Sequence, residues 1–302
     1  MSKVYKISWE IKHEDAAKKI KQFLSEQNIS KRALTDIKFA GGKITVNGEE
    51  VNVRYVLKEK DVLNVEFPVE IHSDGLVAET LPLNIVYEDD DVMVIDKQPY
   101  MNTIPSREHP KGSLANALLS YYKENGISST IHIVTRLDRD TSGLLLVAKH
   151  RFVHHLLSNQ QQKRLIQRTY QAVVEGIPTP LEETIDAPIG RKKTSIIERE
   201  VTWDGRPAVT HYKVLHANER MSLVQLNLET GRTHQIRVHM TYKGHPLIGD
   251  DLYGGNTELL QRQALHCTEL SFFHPFQEKT LTFRSRLPKD LESLIGSNFE
   301  DV

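Results

Sequence analysis

After residue 81 the chain alternates strand-like and helix-like stretches with no repeated strand–helix–strand rhythm, and this irregularity limits its architecture more than any other feature. A doubly wound parallel sheet needs that regular rhythm, so the pattern predicts an α+β fold. Ile85-Val86-Tyr87 and Val92-Met93-Val94-Ile95 flank a triple-Asp turn and read as a hairpin, while residues 114–119 and 152–157 read as helices. Further strands are expected at 170–174, 211–215, 223–228, 270–273 and 280–283.

The first 70 residues follow a different pattern. Ala17, Ile20, Phe23 and Leu24 fall at helical spacing within 13–27, and Ser30 is a suitable cap for a second helix carrying Leu34 and Ile37, which Gly41-Gly42 ends. Lys43-Ile44-Thr45-Val46, a turn at Asn47-Gly48 and the alternation Leu63, Val65, Phe67 predict a small sheet. A helix pair plus a sheet makes a unit of about 60 residues, a size that folds alone. Residues 70–80 are polar and aperiodic and read as a linker, so the expected division is 1–69, a linker at 70–80, and a larger domain over 81–302.

Composition narrows the class without naming a task. With 302 residues, 39% apolar and 26% charged, the chain suits a soluble globular protein able to bury a sizeable core. Its single cysteine, Cys267, rules out an internal disulfide framework, and the first residues lack the apolar core of a signal peptide, so a cytoplasmic location is expected. No run approaches the roughly 18 apolar residues of a membrane span. A net charge of −1 leaves any polyanionic partner to local patches. Such patches run from Lys31-Arg32 to Lys43, from Lys163-Arg164 to Arg168, over Arg191-Lys192-Lys193, and from Arg232 to Lys243, and each also suits a solvated face.

The densest chemical signal is Thr135-Arg136-Leu137-Asp138-Arg139-Asp140-Thr141-Ser142-Gly143, a charged loop that runs into the apolar Leu144-Leu145-Leu146-Val147. A carboxylate between two arginines is kept ionised, as a nucleophile or base must be, although a surface ion-pair cluster fits the same residues. The stretch resembles the signature motif of the RluA-type pseudouridine synthases, and the resemblance makes Asp138 the catalytic residue. That family usually carries histidine where this chain has Thr135. Further matches follow in the family's order. Arg168-Thr169-Tyr170 resembles its basic-x-Tyr strand, which makes Tyr170 the active-site tyrosine. The run Gly231-Arg232-Thr233-His234-Gln235-Ile236-Arg237-Val238-His239, read physically as a helix start capped by Thr233, resembles a second motif. Its second arginine, Arg237, is implied to pair with Asp138, and Arg232 is a further cleft candidate. Gly249-Asp250-Asp251-Leu252-Tyr253-Gly254 also matches, as does Ala264-Leu265-His266-Cys267, where the resemblance sets Leu265 against the uracil.

The resemblance implies a catalytic domain with a mixed, mainly antiparallel sheet and a central cleft, acting on RNA with no cofactor. Arg136 is then expected to fill the stack left by a flipped uridine, and ribosomal RNA is a better expectation than tRNA. The N-terminal unit resembles the small RNA-binding domain of ribosomal small-subunit protein four, which offers Lys31, Arg32 and Lys38 to phosphates. His234, His239 and His245 lie close in sequence, but no paired Cys, HExxH or second acidic cluster completes a metal set, and no metal is expected. Cys267 suits a small buried residue better than a nucleophile. Asp138 can serve as nucleophile at C1′ or as base toward C2′, and the sequence leaves both open. A monomer is the default. The competing class is a non-catalytic RNA-binding or ribosome-assembly protein on the same scaffold.

Overall fold

The computed structural model describes residues 4–71 and 75–296 together with the backbone of 300–301. The N-terminal part holds β1 (Lys6–Glu10), α1 (Ile20–Glu26), α2 (Lys31–Phe39), β2 (Lys43–Val46), β3 (Glu49–Glu50) and β4 (Val62–Glu66), with sheet order β1-β4-β2-β3. Phe23, Leu24, Leu34 and Ile37 of the helices bury against Ile44, Val46, Leu63 and Val65 of the sheet. Asn47 and Gly48 both take positive φ, as the expected turn demands. Ser30 Oγ accepts the Ala33 N–H at 3.1 Å, which confirms it as a cap. The expected single helix over 13–27 is shorter. Only His13–Asp15 forms a 3-10 turn, Ala17 takes φ 67°, and α1 begins at Ile20. The cause lies in residues 53–57, whose carbonyls take the N–H groups of Ala17, Ile20 and Lys21.

The remaining elements are β5 (Ile85–Glu88), β6 (Val92–Lys97), α3 (Leu114–Glu124), β7 (His132–Ile133), β8 (Ser142–Ala148), α4 (Arg151–Gln162) and β9 (Gln167–Glu175). They continue as β10 (Glu182–Asp186), β11 (Ile189–Arg191), β12 (Arg199–Val201), β13 (Val209–Ala217), β14 (Met221–Leu228), α5 (Gln235–Tyr242), β15 (Leu265–His274), β16 (Lys279–Arg284), α6 (Lys289–Ile295) and β17 (Glu300–Asp301). One large sheet runs β10-β13-β14-β9-β15-β8-β6-β5, with β7, β16 and β17 alongside. Among the described strands only β15 against β8 pairs in parallel. The fold is therefore α+β with a mixed, mainly antiparallel sheet, and β11–β12 stand apart as a separate hairpin.

Strand β8 is buried along its whole length, and its Leu144, Leu145, Leu146 and Val147 join Val94 of β6 and Leu118 of α3 in the main core. Full burial of each such side chain is worth about 1.5–3 kcal/mol, enough to fix the strand that carries the loop of Asp138. The two parts of the chain pack directly. Tyr5 stacks on His150 at 4.1 Å and donates its hydroxyl to Asp91, and Phe152 of α4 belongs to the N-terminal core. Glu70, at the head of the expected linker, is buried, with its carboxylate on His132, Thr130 and the Arg151 N–H. Among the described residues no helix is long and apolar enough to cross a membrane.

Candidate active site

The loop from 135 to 141 is held by its backbone. Thr103 Oγ1 donates to the Leu137 carbonyl at 2.7 Å, the Thr141 N–H to that of Asp138 at 3.2 Å, Lys97 Nζ to that of Arg139 at 3.0 Å, and Arg262 Nη1 to that of Asp140 at 3.0 Å. Four consecutive carbonyls are thus occupied, and the Asp138 side chain cannot drift with a loose chain. Where the family usually has histidine, buried Thr135 accepts the Leu146 N–H at 2.9 Å and ties the loop entry to β8. At the exit, Gly143 takes φ 108°, and a Cβ there would lie 2.3 Å from the Cys267 carbonyl oxygen. Only glycine lets β8 run so close beside β15.

Asp138 is 30% exposed at the side chain, with two neighbours at the same oxygen. Arg237 Nη1 lies 3.5 Å from Oδ2 and His234 Nε2 lies 4.0 Å from it. The expected pairing of Arg237 with Asp138 is therefore present, but the planar fork of the guanidinium is spent elsewhere. Its Nε and Nη2 each donate at 2.7 Å to the fully buried Asp250, and only the outer nitrogen addresses Asp138. Arg237 also lies over the Tyr253 ring at 4.9 Å.

The expected cap Thr233 is not the cap of α5. His234 holds that position in the left-handed conformation, φ 57° and ψ 22°, without a side-chain cap bond. The Gln235 carboxamide does the local work, accepting the Arg232 N–H at 2.9 Å and the Thr230 hydroxyl at 2.8 Å.

These groups face a cleft of about 820 Å³. Tyr170 of β9 and Leu265 of β15, both buried, form part of its wall from paired strands. Burial pushes the Tyr170 phenol above its ordinary range, so it stays protonated. Arg168 lies 5.8 Å above the Tyr170 ring, and Arg136 is exposed in the lining. Arg232 also lines the cleft, with its Nε bound to the Pro207 carbonyl. Lys31, Arg32 and Lys38 are exposed on α2 and do not reach the cleft. Arg32 instead borders a cavity of about 580 Å³ between α2 and the start of α4.

His234, Asp250, Tyr253, Lys97 and Thr103 contact Asp138, Arg237 or the loop that carries Asp138, and the sequence alone did not single them out as parts of the site. Asp250 and Tyr253 belong to a stretch already matched by motif, so their signal was present. A lone lysine closing an apolar strand, or a threonine in a loop, gave none.

His239 bridges Thr210 and the Ala187 carbonyl, and His245 bonds the Glu175 carbonyl, so these two histidines do not converge with His234. Among the described residues only Asp89, Asp91 and His274 stand close enough to share a cation. Asp89 already accepts from Tyr87, Gln277 and two N–H groups, and His274 Nδ1 accepts from Phe276 and Gln277. None of the three lines the cleft. Cys267 is fully buried, and burial pushes its thiol up to about 12, which removes it as a nucleophile.

The chain is similar to known proteins of one family. A family model described as RNA pseudouridylate synthase matches residues 91–242, a span that contains Asp138, Tyr170 and Arg237. A Bacillus subtilis (strain 168) protein named as uncharacterized RNA pseudouridine synthase YjbO is 57% identical over 280 residues, covering 92% of this chain and 99% of the relative. Ribosomal large subunit pseudouridine synthase D of Vibrio parahaemolyticus is 39% identical, with 86% and 84% covered. In the solved structures, human RNA Pseudouridylate Synthase Domain Containing 1 shares the fold, with a TM-score of 0.60 at 24% identity over 74% of this chain and 91% of that one. With half the chain matched by the family model and relatives aligned across nearly all of it, this protein belongs to the RNA pseudouridylate synthase family.

Proposed function

We propose that the chain isomerises uridines of structured ribosomal RNA in the cytoplasm, with Asp138 as the reacting carboxylate. The observation that carries this reading is the placement of Asp138 on a loop with four carbonyls held, facing the cleft, with both nearby cations or donors at Oδ2. Oδ1 is then the oxygen left for the sugar. The reaction breaks the N1–C1′ bond, turns the uracil and joins C5 to C1′; C5 gives up a proton and N1 regains one. No atom is gained, so no co-reactant is needed. Asp138 acts as nucleophile at C1′ or as base at C2′, and both roles use the anion. Positive character on the sugar is stabilised by a carboxylate beside it, as in glycoside cleavage.

Tyr170 and Leu265 supply the walls against which the uracil turns, and the protonated phenol of Tyr170 suits a wall better than a base. A base inside a helix must first be flipped out at a cost of a few kcal/mol. Arg136 fills the vacated stack with its planar guanidinium, a reading supported by its exposure in the cleft lining. Arg232 adds positive charge to the same wall. Lys31, Arg32 and Lys38 add phosphate contacts from the module over 1–69, which raise affinity without reading sequence. Relatives named for the large ribosomal subunit support ribosomal RNA as the substrate.

The test is deletion of the gene and mapping of pseudouridine across all stable RNAs, with complementation by wild type and by Asp138→Asn. Defined sites should disappear and return with wild type alone. Substantial activity in purified Asp138→Asn protein would remove Asp138 from the reaction.

A further inference from the structure

His234 adopts a conformation that side chains with a Cβ enter at a cost, and such strain persists where the surroundings over-determine it. Here the strained backbone turns the ring toward Asp138, with only 13% of the side chain exposed. Its Nδ1 lies 2.8 Å from Tyr253 Oη. That phenol oxygen also accepts the Arg199 N–H at 2.9 Å, so its own proton is the one free to go to His234. Nδ1 is then the acceptor, and the proton of the neutral ring sits on Nε2, facing Asp138 Oδ2. Burial holds His234 below its ordinary pKa; Asp138 and Asp250 pull it up, while Arg237 and Arg199 push it down. Among the described residues these and the Tyr253 phenol are the main charged and titratable groups acting on the ring, and the lowered pKa leaves it uncharged at neutral pH.

We propose that His234 is a positioning residue for the reacting carboxylate: locked by Tyr253, its Nε2–H joins Arg237 in holding Oδ2 of Asp138, so that Oδ1 meets the sugar. This rests on the reading of Asp138 given above. The 4.0 Å separation is longer than a hydrogen bond, and this contact must tighten when substrate enters, as catalytic contacts often do. Arg199 belongs to β12 of the separate hairpin, and Ile197 of that hairpin lines the cleft. A chain of donors therefore runs from the cleft rim through Tyr253 and His234 to Asp138.

The experiment uses the full chain and total RNA from the host lacking the gene, labelled with tritium at C5 of uracil, since isomerisation releases that hydrogen to water. Asparagine tolerates the left-handed backbone and keeps an amide near Tyr253, but is too short to reach Asp138. His234→Asn should lower kcat about ten- to a hundredfold, the weight of one hydrogen bond to a charged group, with KM and Tm near wild type. Glutamine places an amide donor near the Nε2 position and cannot titrate. His234→Gln should recover much of the loss and reduce the wild-type decline in rate toward acid, where a protonated ring sets a second cation at Oδ2. Tyr253→Phe keeps the ring under Arg237 and should show part of the same loss. Wild-type turnover in His234→Asn, or an unchanged acid limb in an active His234→Gln, would overturn the proposal. Failure of His234→Gln to exceed His234→Asn would do the same. If the wild type itself released no tritium, the isomerase reading beneath it would fall, and that control shows this separately.

Discussion

Asp250→Asn isolates the support beneath Arg237 from the chemistry of Asp138. Arg237 is 5% exposed and Asp250 0%, and two bonds of 2.7 Å join them. Asparagine keeps the volume but loses the charge, and presents an amide where one carboxylate oxygen stood. Removing one partner of a buried ion pair costs about 3–5 kcal/mol, because the other is left charged and uncompensated. At about 2–4 °C per kcal/mol for a chain of this order of size, Tm should fall by about 6–20 °C. Among the described residues the other carboxylate near the guanidinium is Asp138, 3.5 Å from Nη1. The released fork should turn toward it, occupy both oxygens and take the anion out of use, so turnover should drop at least about tenfold, the equivalent of 1.4 kcal/mol. Thermal unfolding and tritium release from C5-labelled RNA read the two effects. The double variant Arg237→Met with Asp250→Leu removes both charges; it should regain most of the lost Tm but no activity, since an apolar pair replaces a buried ion pair at little cost. A single Asp250→Asn protein with Tm within about 2 °C of wild type and turnover within about threefold would refute the reasoning.

Two other perturbations separate holding the loop from stabilising the fold. Lys97 is 1% exposed and donates to the carbonyls of Gln98, Met101 and Arg139, while burial pushes its pKa down to about 7 against the pull of Asp140 and Asp138. Lys97→Met removes a costly buried cation but strips the donor from the carbonyls of Gln98, Met101 and Arg139, so Tm should fall modestly while kcat falls about tenfold, as kinetics beside a melting curve would show. In wild type the rate should fall as pH rises through about 7, where Lys97 loses one of its three N–H donors. Its effect on stability runs the other way: between about 7 and 10.4 the unfolded chain binds the extra proton, so ΔG of unfolding rises with pH. At the junction of the two parts, burial lowers His150 to about 4. Between about 6.5 and 4 the unfolded chain takes up a proton that the fold refuses, and stability should fall by up to about 3 kcal/mol as pH drops through that window. Burial alone would raise the Glu70 carboxyl, but His132 and Thr130 outweigh it and hold it well below the usual range, so its contribution is lost only at stronger acid. His150→Asn should flatten the upper part of the profile in urea titrations at successive pH values, and an unchanged slope there would count against this assignment.

The elements with strong local patterns were legible. The β5–β6 hairpin, α3, α4 and the strands around Tyr170, Val224 and Phe272 lie where apolar periodicity put them. What the sequence did not show depends on distant partners. Strand β1 has a mixed pattern and exists because it pairs with β4, some 55 residues on. The short β11–β12 hairpin and the truncated start of α1 likewise follow from contacts made elsewhere in the chain. Tertiary pairing overrides weak local preference in all three.

The same division runs through the site. Asp138, Tyr170, Arg237 and Leu265 sit in recognisable runs, and the fold brings all four to one cleft. Their supports do not advertise themselves, because the donors that grip the loop at Leu137, Arg139 and Asp140 come from Thr103, Lys97 and Arg262, 34 to 122 residues away. What they grip is backbone carbonyl, which every residue possesses, so the loop's own sequence carries no trace of being held. Thr135 shows what this allows. Its hydroxyl meets the Leu146 N–H and secures the loop entry without the family's usual histidine, because the position of Asp138 depends on where the main chain is fastened more than on which side chain fastens it.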